Sequence, residues 1–485
     1  MKKSKICEYK LTEYVIAFLS VFILFMLTWC LKLKNNMNAM HSCMIIAEAC
    51  LFIYAFYLKK KENLDAKKLL SIIMYAGMII GVGNMLGTHI FDKGYDQGSI
   101  SSAAKGHFGY ILNLIEGHLP RDNGEQYYQP PLFHFIASFF VRFGQMCTGG
   151  NDEDAMQFVQ IVNGSVYCFL LIAVKNFIVD IKAEKKYFWV MLITAFHPSF
   201  MLMGLRGNND MLATFFIVLC LTNTYKWYVK RDMKTIIVLA FSFGLGMMTK
   251  ISVGTIAILT GIVMIYCLVK DFKQKQYKKI ICQLAVFAVI CLPLGMWYPI
   301  RNLVLFNQPL GYVQMLPTNI PIYKGDIAWY KRFFGFDIID LLKKPFFYYP
   351  DGYSIPIQVI KTSMFAEVKY ESNLFMCSIL VLVNIITIIT AVVSAVYVGV
   401  KGKNCDKKIR VGALAMWIII MVSYVQFNVQ YPHLCTADFR YIAITAPLGA
   451  VFMSEAICCT NNIKIKKIIK AVMLAFAICV ASIYM

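Results

Sequence analysis

The chain has 485 residues, of which 59% are hydrophobic and 15% charged, with a mean hydropathy of +0.60. Soluble globular proteins are typically ~45–50% apolar and ~25% charged, so this composition excludes a water-soluble enzyme, a disordered chain and a disulfide-stapled secreted module. Lys and Arg number 48 against 27 Asp and Glu, a formal net charge of +21 that in a soluble protein would suggest nucleic acid. Here the basic residues fall in short gaps between apolar runs, and no segment interleaves them with aromatics on one face. No nucleic-acid partner is expected.

Leu11–Leu31 follows a lysine-rich start. It has the ~20-residue length that crosses a bilayer and lacks a small-residue cleavage site, so a retained first span is expected rather than a signal peptide. Asn38–Leu58 and Leu69–Phe91 follow as the second and third spans. The clusters Lys2–Lys5, Lys59–Lys68, Lys182–Lys186, Lys226–Lys234, Lys270–Lys279, Lys401–Lys408 and Lys464–Lys470 mark the cytoplasmic side. With the amino terminus inside, the third span leaves on the outer face near Asp92. A polar loop, residues 92–131, comes next. Further apolar runs lie near Leu132–Cys147, Met156–Val179, Tyr187–Leu205, Met211–Val229, Thr235–Met248, Ser252–Val269 and Lys279–Pro299.

Leu132–Cys147 is short for a span, so it is read as a partial crossing or a neighbour-packing segment. A second polar stretch, Arg301 to Asn373, is too long for a hairpin turn and is expected to cover the site as a lid. Four closing runs end at Met485. The sequence thus predicts an all-α polytopic membrane protein, a single domain over residues 1–485, with about 13 transmembrane helices. From Lys182 onwards the basic clusters alternate so that Arg206–Asp210, Arg301–Asn373 and Gln430–Arg440 share the outer face with Asp92. The 16 cysteines are scattered with no paired or zinc spacing and read as small buried hydrophobes.

Within the first outer loop, Phe108, Ile111, Leu112 and Ile115 form an apolar stripe at helical spacing. They predict an amphipathic helix over 99–116 lying at the membrane surface, ended by Gly117 and turned by Leu119-Pro120. Four of the seven histidines, His89, His107, His118 and His134, lie in or beside this region. Asp96, between Tyr95 and Gly98 at a span end, is a carboxylate at the membrane surface and therefore a functional candidate.

A series of motifs follows in order: YDQG at Tyr95–Gly98, GHFGYI at Gly106–Ile111, GHLP at Gly117–Pro120 and QYYQPPLFH at Gln126–His134. Then come GNND at Gly207–Asp210, TKIS at Thr249–Ser252, WYPIRN at Trp297–Asn302 and PLGY at Pro309–Tyr312. IKTSMFAE at Ile360–Glu367 and CTADFRY at Cys435–Tyr441 close the series. Their order and spacing resemble the GT-C glycosyltransferases that use polyprenyl-phosphate sugars, including the protein O-mannosyltransferases and the aminoarabinose transferases of lipid A. The resemblance covers nearly the whole stretch from Phe91 to Ala446.

The resemblance implies a GT-C-type helix bundle with an interfacial helix in its first outer loop. It implies an inverting transferase at the outer face of the plasma membrane, moving a sugar from a polyprenyl-phosphate donor to a protein, lipid or glycan acceptor. Such chemistry needs a base for the acceptor proton and a cation for the departing phosphate. By motif position the base is Asp96, with Asp92 as runner-up. His107 stands where relatives carry a second acidic residue, and Asp210 and Glu116 are its substitutes. For the phosphate, Arg301 and Arg440 come first and Lys361 third, each at an outer-face span end or loop. Asp438 is close enough in sequence to pair with Arg440, and Lys250 reads as a loop anchor. Tyr127, Tyr128, Pro130 and Pro131 set the start of the next helix, with a substrate-facing role considered for Tyr128. The resemblance admits a divalent metal ion near the acidic motif, although no ligand spacing demands one.

Two other classes were weighed. A transporter or lipid flippase should show internal repeats and mid-span charges, whereas the charges here concentrate in loops and span ends. A polysaccharide polymerase or ligase would not lean on an aspartate directly after an early span.

Overall fold

The computed structural model describes residues 2–92, 105–121, 124–275, 277–347, 352–370, 373–401 and 407–485. Among these residues the architecture is all-α, with no β-strand and one isolated bridge between Tyr323 and His433. Nine described helices are long and apolar enough to cross a membrane, or ten if the bent pair Phe188–Phe196 and Pro198–Leu205 is one span. Three shorter apolar helices, Leu132–Cys147, Met233–Thr249 and Thr445–Cys459, accompany them. The chain is an all-α, multi-pass membrane protein.

Polar residues beside the lysine clusters fix where helices begin. Asp65 accepts from the Lys68 amide at 2.7 Å to open Ala66–Gly87. Asp232 does the same for Thr235 at 2.7 Å to open Met233–Thr249, and Asn462 caps Ile463–Tyr484. Each cap satisfies an amide that the first helical turn leaves without a partner.

The run Tyr187–Leu205, expected as one span, breaks at His197, and its two helices bend by 43°. Pro198 has no amide proton to continue the helix. The Ser199 amide donates instead to His197 Nδ1 at 3.3 Å. The Tyr167 hydroxyl lies within donating distance of the Ala195 carbonyl, at 3.1 Å, and of the Gly77 carbonyl, at 2.9 Å. The broken backbone is thereby resatisfied by a side chain from another helix.

Contacts divide the chain into two compact units. The first comprises Met1–His89, Tyr167–Leu205 and Met315–Met485, and the second Ile90–Val166 and Arg206–Gln314. In the first unit Met37–Lys60 packs on Ala66–Gly87, and Leu374–Lys401 packs on Thr445–Cys459 and Ile463–Tyr484. In the second, Met233–Thr249 packs on both Asp210–Lys230 and Tyr277–Phe306, while Gly106–Ile115 packs on Leu132–Cys147.

Two expectations are corrected here. The stretch read as a loop from Arg301 starts later, because helix Tyr277–Phe306 continues through Pro293 and Pro299. The rest of that stretch contains three short helices, Trp329–Phe334, Ile338–Lys343 and Ile355–Phe365. Charges are also not confined to loops and span ends, since Glu48 lies midway along Met37–Lys60. Near the end of Thr445–Cys459, Glu455 is fully buried and takes the Tyr187 hydroxyl at 2.5 Å and Lys186 Nζ at 2.7 Å.

Candidate functional site

In the second unit the outer-loop helix spans Gly106–Ile115, shorter than the predicted 99–116, and residues Gly106–Ile111 are all buried. The expected solvent-facing polar side is therefore absent from its first half. The reason is that its polar side chains have protein partners. His107 Nδ1 and His134 Nε2 lie 2.8 Å apart, their rings edge to edge with planes 11° apart. A hydrogen bond between two imidazoles needs one N–H and one bare nitrogen, so at least one ring is neutral. Tyr110 stacks on His134 at 4.0 Å, and with Tyr127 and Tyr298 it forms a buried aromatic cluster. The Tyr298 hydroxyl donates to the Tyr127 carbonyl at 2.7 Å, and Asn113 Nδ2 donates to the Tyr127 hydroxyl at 3.0 Å.

The GNND turn lies in the same unit. Asn163 Nδ2 donates to the carbonyls of Arg206 and Asn208, at 2.5 and 2.9 Å, and Asn209 Nδ2 donates to the Thr249 carbonyl at 2.8 Å. A Cβ on Gly207 would strike the Phe108 ring, so only glycine lets this turn approach the outer-loop helix. Asp210 opens helix Asp210–Lys230, and its Oδ1 meets Lys250 Nζ at 2.5 Å.

Arg301 lies within its helix with two edges engaged. Nη1 donates to Asn302 Oδ1 at 2.8 Å and Nη2 to the Pro120 carbonyl at 2.7 Å, with the guanidinium over the Tyr298 and Phe306 rings. It clasps the end of the outer loop to helix Tyr277–Phe306. The Tyr128 ring meets Tyr312 edge-on at 5.8 Å. Pro131 is the last residue before helix Leu132–Cys147, as the paired prolines implied. Asp92 closes a short 3-10 turn, Ile90–Asp92, and is exposed. Glu116 is exposed and contacts His118 at 3.1 Å. Asp96 lies outside the described residues.

The first unit holds the other two candidates. Lys361 is 6% exposed on helix Ile355–Phe365, and Arg440 lies in the 3-10 turn Phe439–Ile442. These two elements pack together. The Phe439 amide donates to Thr362 Oγ1 at 2.9 Å, and that hydroxyl in turn donates to the Gln358 carbonyl at 2.7 Å. One threonine therefore adjoins Lys361 in sequence and holds the backbone next to Arg440. Asp438 Oδ1 accepts from the Arg440 amide at 2.9 Å, and its Oδ2 lies 3.6 Å from Arg440 Nε. His197 stacks on Phe439 at 5.2 Å from the other side.

Sequence reasoning named the cations but passed over Thr362 and gave His134 no role. Thr362 lay inside a quoted motif. The pairing of His107 with His134, 27 residues apart, left no local signal. Among the described residues, no three His, Cys, Asp or Glu side chains gather to hold a metal ion.

Residues 128–297, about a third of the chain, match the family model described as dolichyl-phosphate-mannose-protein mannosyltransferase. No curated protein matches the chain in sequence. Among solved structures, the apo oligosaccharyltransferase of Archaeoglobus fulgidus aligns with TM-score 0.46 and 10% identity over 86% of this chain and 56% of that one. The chain thus spans about half the length of that relative. Apo ArnT from Cupriavidus metallidurans aligns with TM-score 0.37 and 11% identity, over 84% of this chain and 76% of that one. ArnT bound to undecaprenyl phosphate aligns with TM-score 0.36 and 11% identity, over 81% and 77%. Over residues 128–297, then, the chain is similar to a family of membrane mannosyltransferases, and the resemblance read from the order of its motifs is borne out on that segment.

Proposed function

We propose that the protein is an integral-membrane inverting glycosyltransferase that moves a sugar from a polyprenyl-phosphate donor to an acceptor on the outer face of the membrane. The observation that carries the reading is the match of residues 128–297 to a family whose description pairs a lipid-phosphate sugar with transfer to an acceptor. The first unit adds chemical support. A buried lysine and a largely buried arginine stand on two elements joined by the Thr362–Phe439 hydrogen bond. A phosphate can accept hydrogen bonds from a lysine and an arginine side chain.

In this reading Asp96 takes the proton of the acceptor hydroxyl, with Asp92 as its alternative. The acceptor oxygen bonds to the anomeric carbon from the face opposite the phosphate. The carbon–oxygen bond to the phosphate breaks, and its electron pair leaves with the polyprenyl phosphate, stabilised by Lys361 and Arg440. Asp210, held by Lys250, serves as a clamp on the GNND turn rather than as a base, and Arg301 fixes the outer loop. Tyr128 faces substrate. His107 and His134 hold the loop helix in place through a shared proton. A divalent ion near the acidic motif enters no step.

The test is a transfer assay with the purified protein in lipid nanodiscs and labelled polyprenyl-phosphate sugars. Asp96→Asn should insert and fold normally but lose roughly 10²–10⁴-fold in transfer rate, the usual contribution of a general base. Full activity in that variant would remove Asp96 from the chemistry.

A further inference from the structure

Two short helices follow each other in the first unit, Trp329–Phe334 and Ile338–Lys343. Neither approaches the ~20 residues that cross a bilayer. Their side chains are sorted in the reverse of a water-facing helix. The cation Arg332 is turned inward, 6% exposed, and its Nη2 donates to the Asn428 carbonyl at 3.0 Å. The aromatic and aliphatic side chains are turned outward. Trp329 is 67% exposed, Phe334 72% and Ile339 64%, with Tyr330 and Phe336 about half exposed. Trp329 meets Phe334 edge-on, their centroids 6.1 Å apart, so the outward rings gather rather than scatter.

The place of the second helix says what covers these side chains. Ile338–Lys343 packs on Leu374–Lys401, which carries a membrane span. Ser378 Oγ, in the second turn of that helix, lies 2.8 Å from the Leu342 carbonyl and 2.9 Å from the Leu374 carbonyl. The short helix therefore sits beside the first turns of a span, at the end remote from Lys401, where hydrocarbon gives way to headgroups. Phe375, at that same end, is itself 75% exposed.

Water would leave these rings exposed without compensation. Charge selects no acidic partner, because Lys331, Lys343 and Lys344 are exposed alongside Asp337 and Asp340. The bilayer interface suits every feature. Tryptophan and tyrosine concentrate there, with the ring in an apolar layer and the polar tip in water. Lysine stems reach from that depth to the headgroups.

We propose that residues 329–343 dock in the bilayer interface, seating Trp329, Phe334 and Ile339 among the headgroups and upper acyl chains at one end of the span in Leu374–Lys401. The dock is tied to a candidate site residue. Trp329–Phe334 packs on Ile355–Phe365, the helix of Lys361. The Gly335 carbonyl accepts from the Ser354 hydroxyl, whose oxygen in turn accepts from the Ile357 amide at 3.3 Å and so caps that helix. The lipid surface thus steadies the support from which the Lys361 helix starts.

Tryptophan fluorescence in nanodiscs tests this, comparing phosphatidylcholine with the same lipid brominated near the top of its acyl chains, a contact quencher. The difference between the wild-type protein and Trp329→Phe isolates Trp329 from the other tryptophans. Its emission should be lost in the brominated discs. Ile339→Trp supplies a second reporter, quenched in the same way, if the Trp329 variant fails to fold. Emission that survives bromination overturns the proposal, and acrylamide then identifies what stands there instead. Quenching by acrylamide means water, and protection from both quenchers means a protein cover such as a second copy of the chain.

Discussion

In the first unit Glu455 is held by Lys186 at 2.7 Å and by the Tyr187 hydroxyl at 2.5 Å, whereas Arg440 Nε lies 3.6 Å from Asp438 Oδ2. Both clusters are buried; Glu455 joins segments far apart in sequence, whereas Asp438 and Arg440 are two residues apart. They differ in what the geometry is arranged to do. At Glu455 the cation and the hydroxyl converge on one oxygen, and charge is balanced at hydrogen-bond length. At Arg440 the carboxylate spends its close contact on the backbone amide, at 2.9 Å, and stands off from the guanidinium. The first arrangement closes a structure. The second shapes a turn, and the guanidinium lies over the Tyr441 ring with Nη2 donating to the Tyr441 hydroxyl at 3.3 Å.

Four substitutions and conditions test that contrast. The largest expected effect on stability is Glu455→Ala. Breaking a buried pair costs roughly 3–5 kcal/mol, and the lower end applies because Lys186 keeps 26% exposure. Thermal melting in detergent should show the loss. A variant as stable as wild type would mean that the short contacts are not a lock. Arg440→Ala should lower melting less than Glu455→Ala, because its contact is longer, while weakening binding of undecaprenyl phosphate about 10–100-fold, as loss of a charged hydrogen bond predicts. Unaltered lipid binding would place Arg440 with the structural cluster.

Thr362→Val comes next, because it leaves the Phe439 amide buried without its acceptor, a cost of about 1–3 kcal/mol. If Thr362 positions both cations, the donor KM rises more than kcat falls, and Thr362→Ser restores it. Equal changes in every parameter would indicate a packing defect.

The smallest effect concerns His433, also in the first unit. Burial holds its imidazole below the usual histidine range, reinforced by the Arg332 charge and opposed by the carbonyls of Pro317 and Leu316. The folded chain therefore binds fewer protons there than the unfolded chain once pH falls below about 6.5. The stability this neutral ring contributes is present above that value and is lost as pH falls below it. His433→Asn should flatten the pH dependence of melting below about pH 6.5.

Most of the fold was legible because crossing a bilayer demands a length and a composition that any sequence displays. Ala66–Gly87 and Ile463–Tyr484 follow directly from their apolar runs and polar caps. The break at His197 was not legible, since Pro198 is tolerated in a span and the donor to the freed carbonyl, the Tyr167 hydroxyl, comes from another helix. The continuation through Pro299 was missed for a related reason, because proline reads as an ending where it is only a local lost bond. For the site, residue types at loop positions pointed to Lys361 and Arg440, but the packing of their two elements, with its Thr362–Phe439 hydrogen bond across 77 residues, left no local signal. The buried face of Gly106–Ile115 was misread because an apolar stripe says where lipid or core lies, and His107 found its partner in His134 instead of water.

The hinge at His197 also bears on how the protein is made. In length and composition, Phe188–Phe196 and Pro198–Leu205 pass together as one hydrophobic stretch, so the insertion machinery meets a single crossing. Pro198 makes the bend locally, and the Tyr167 hydroxyl, from a preceding helix, is in place to take up the Ala195 carbonyl that the bend exposes.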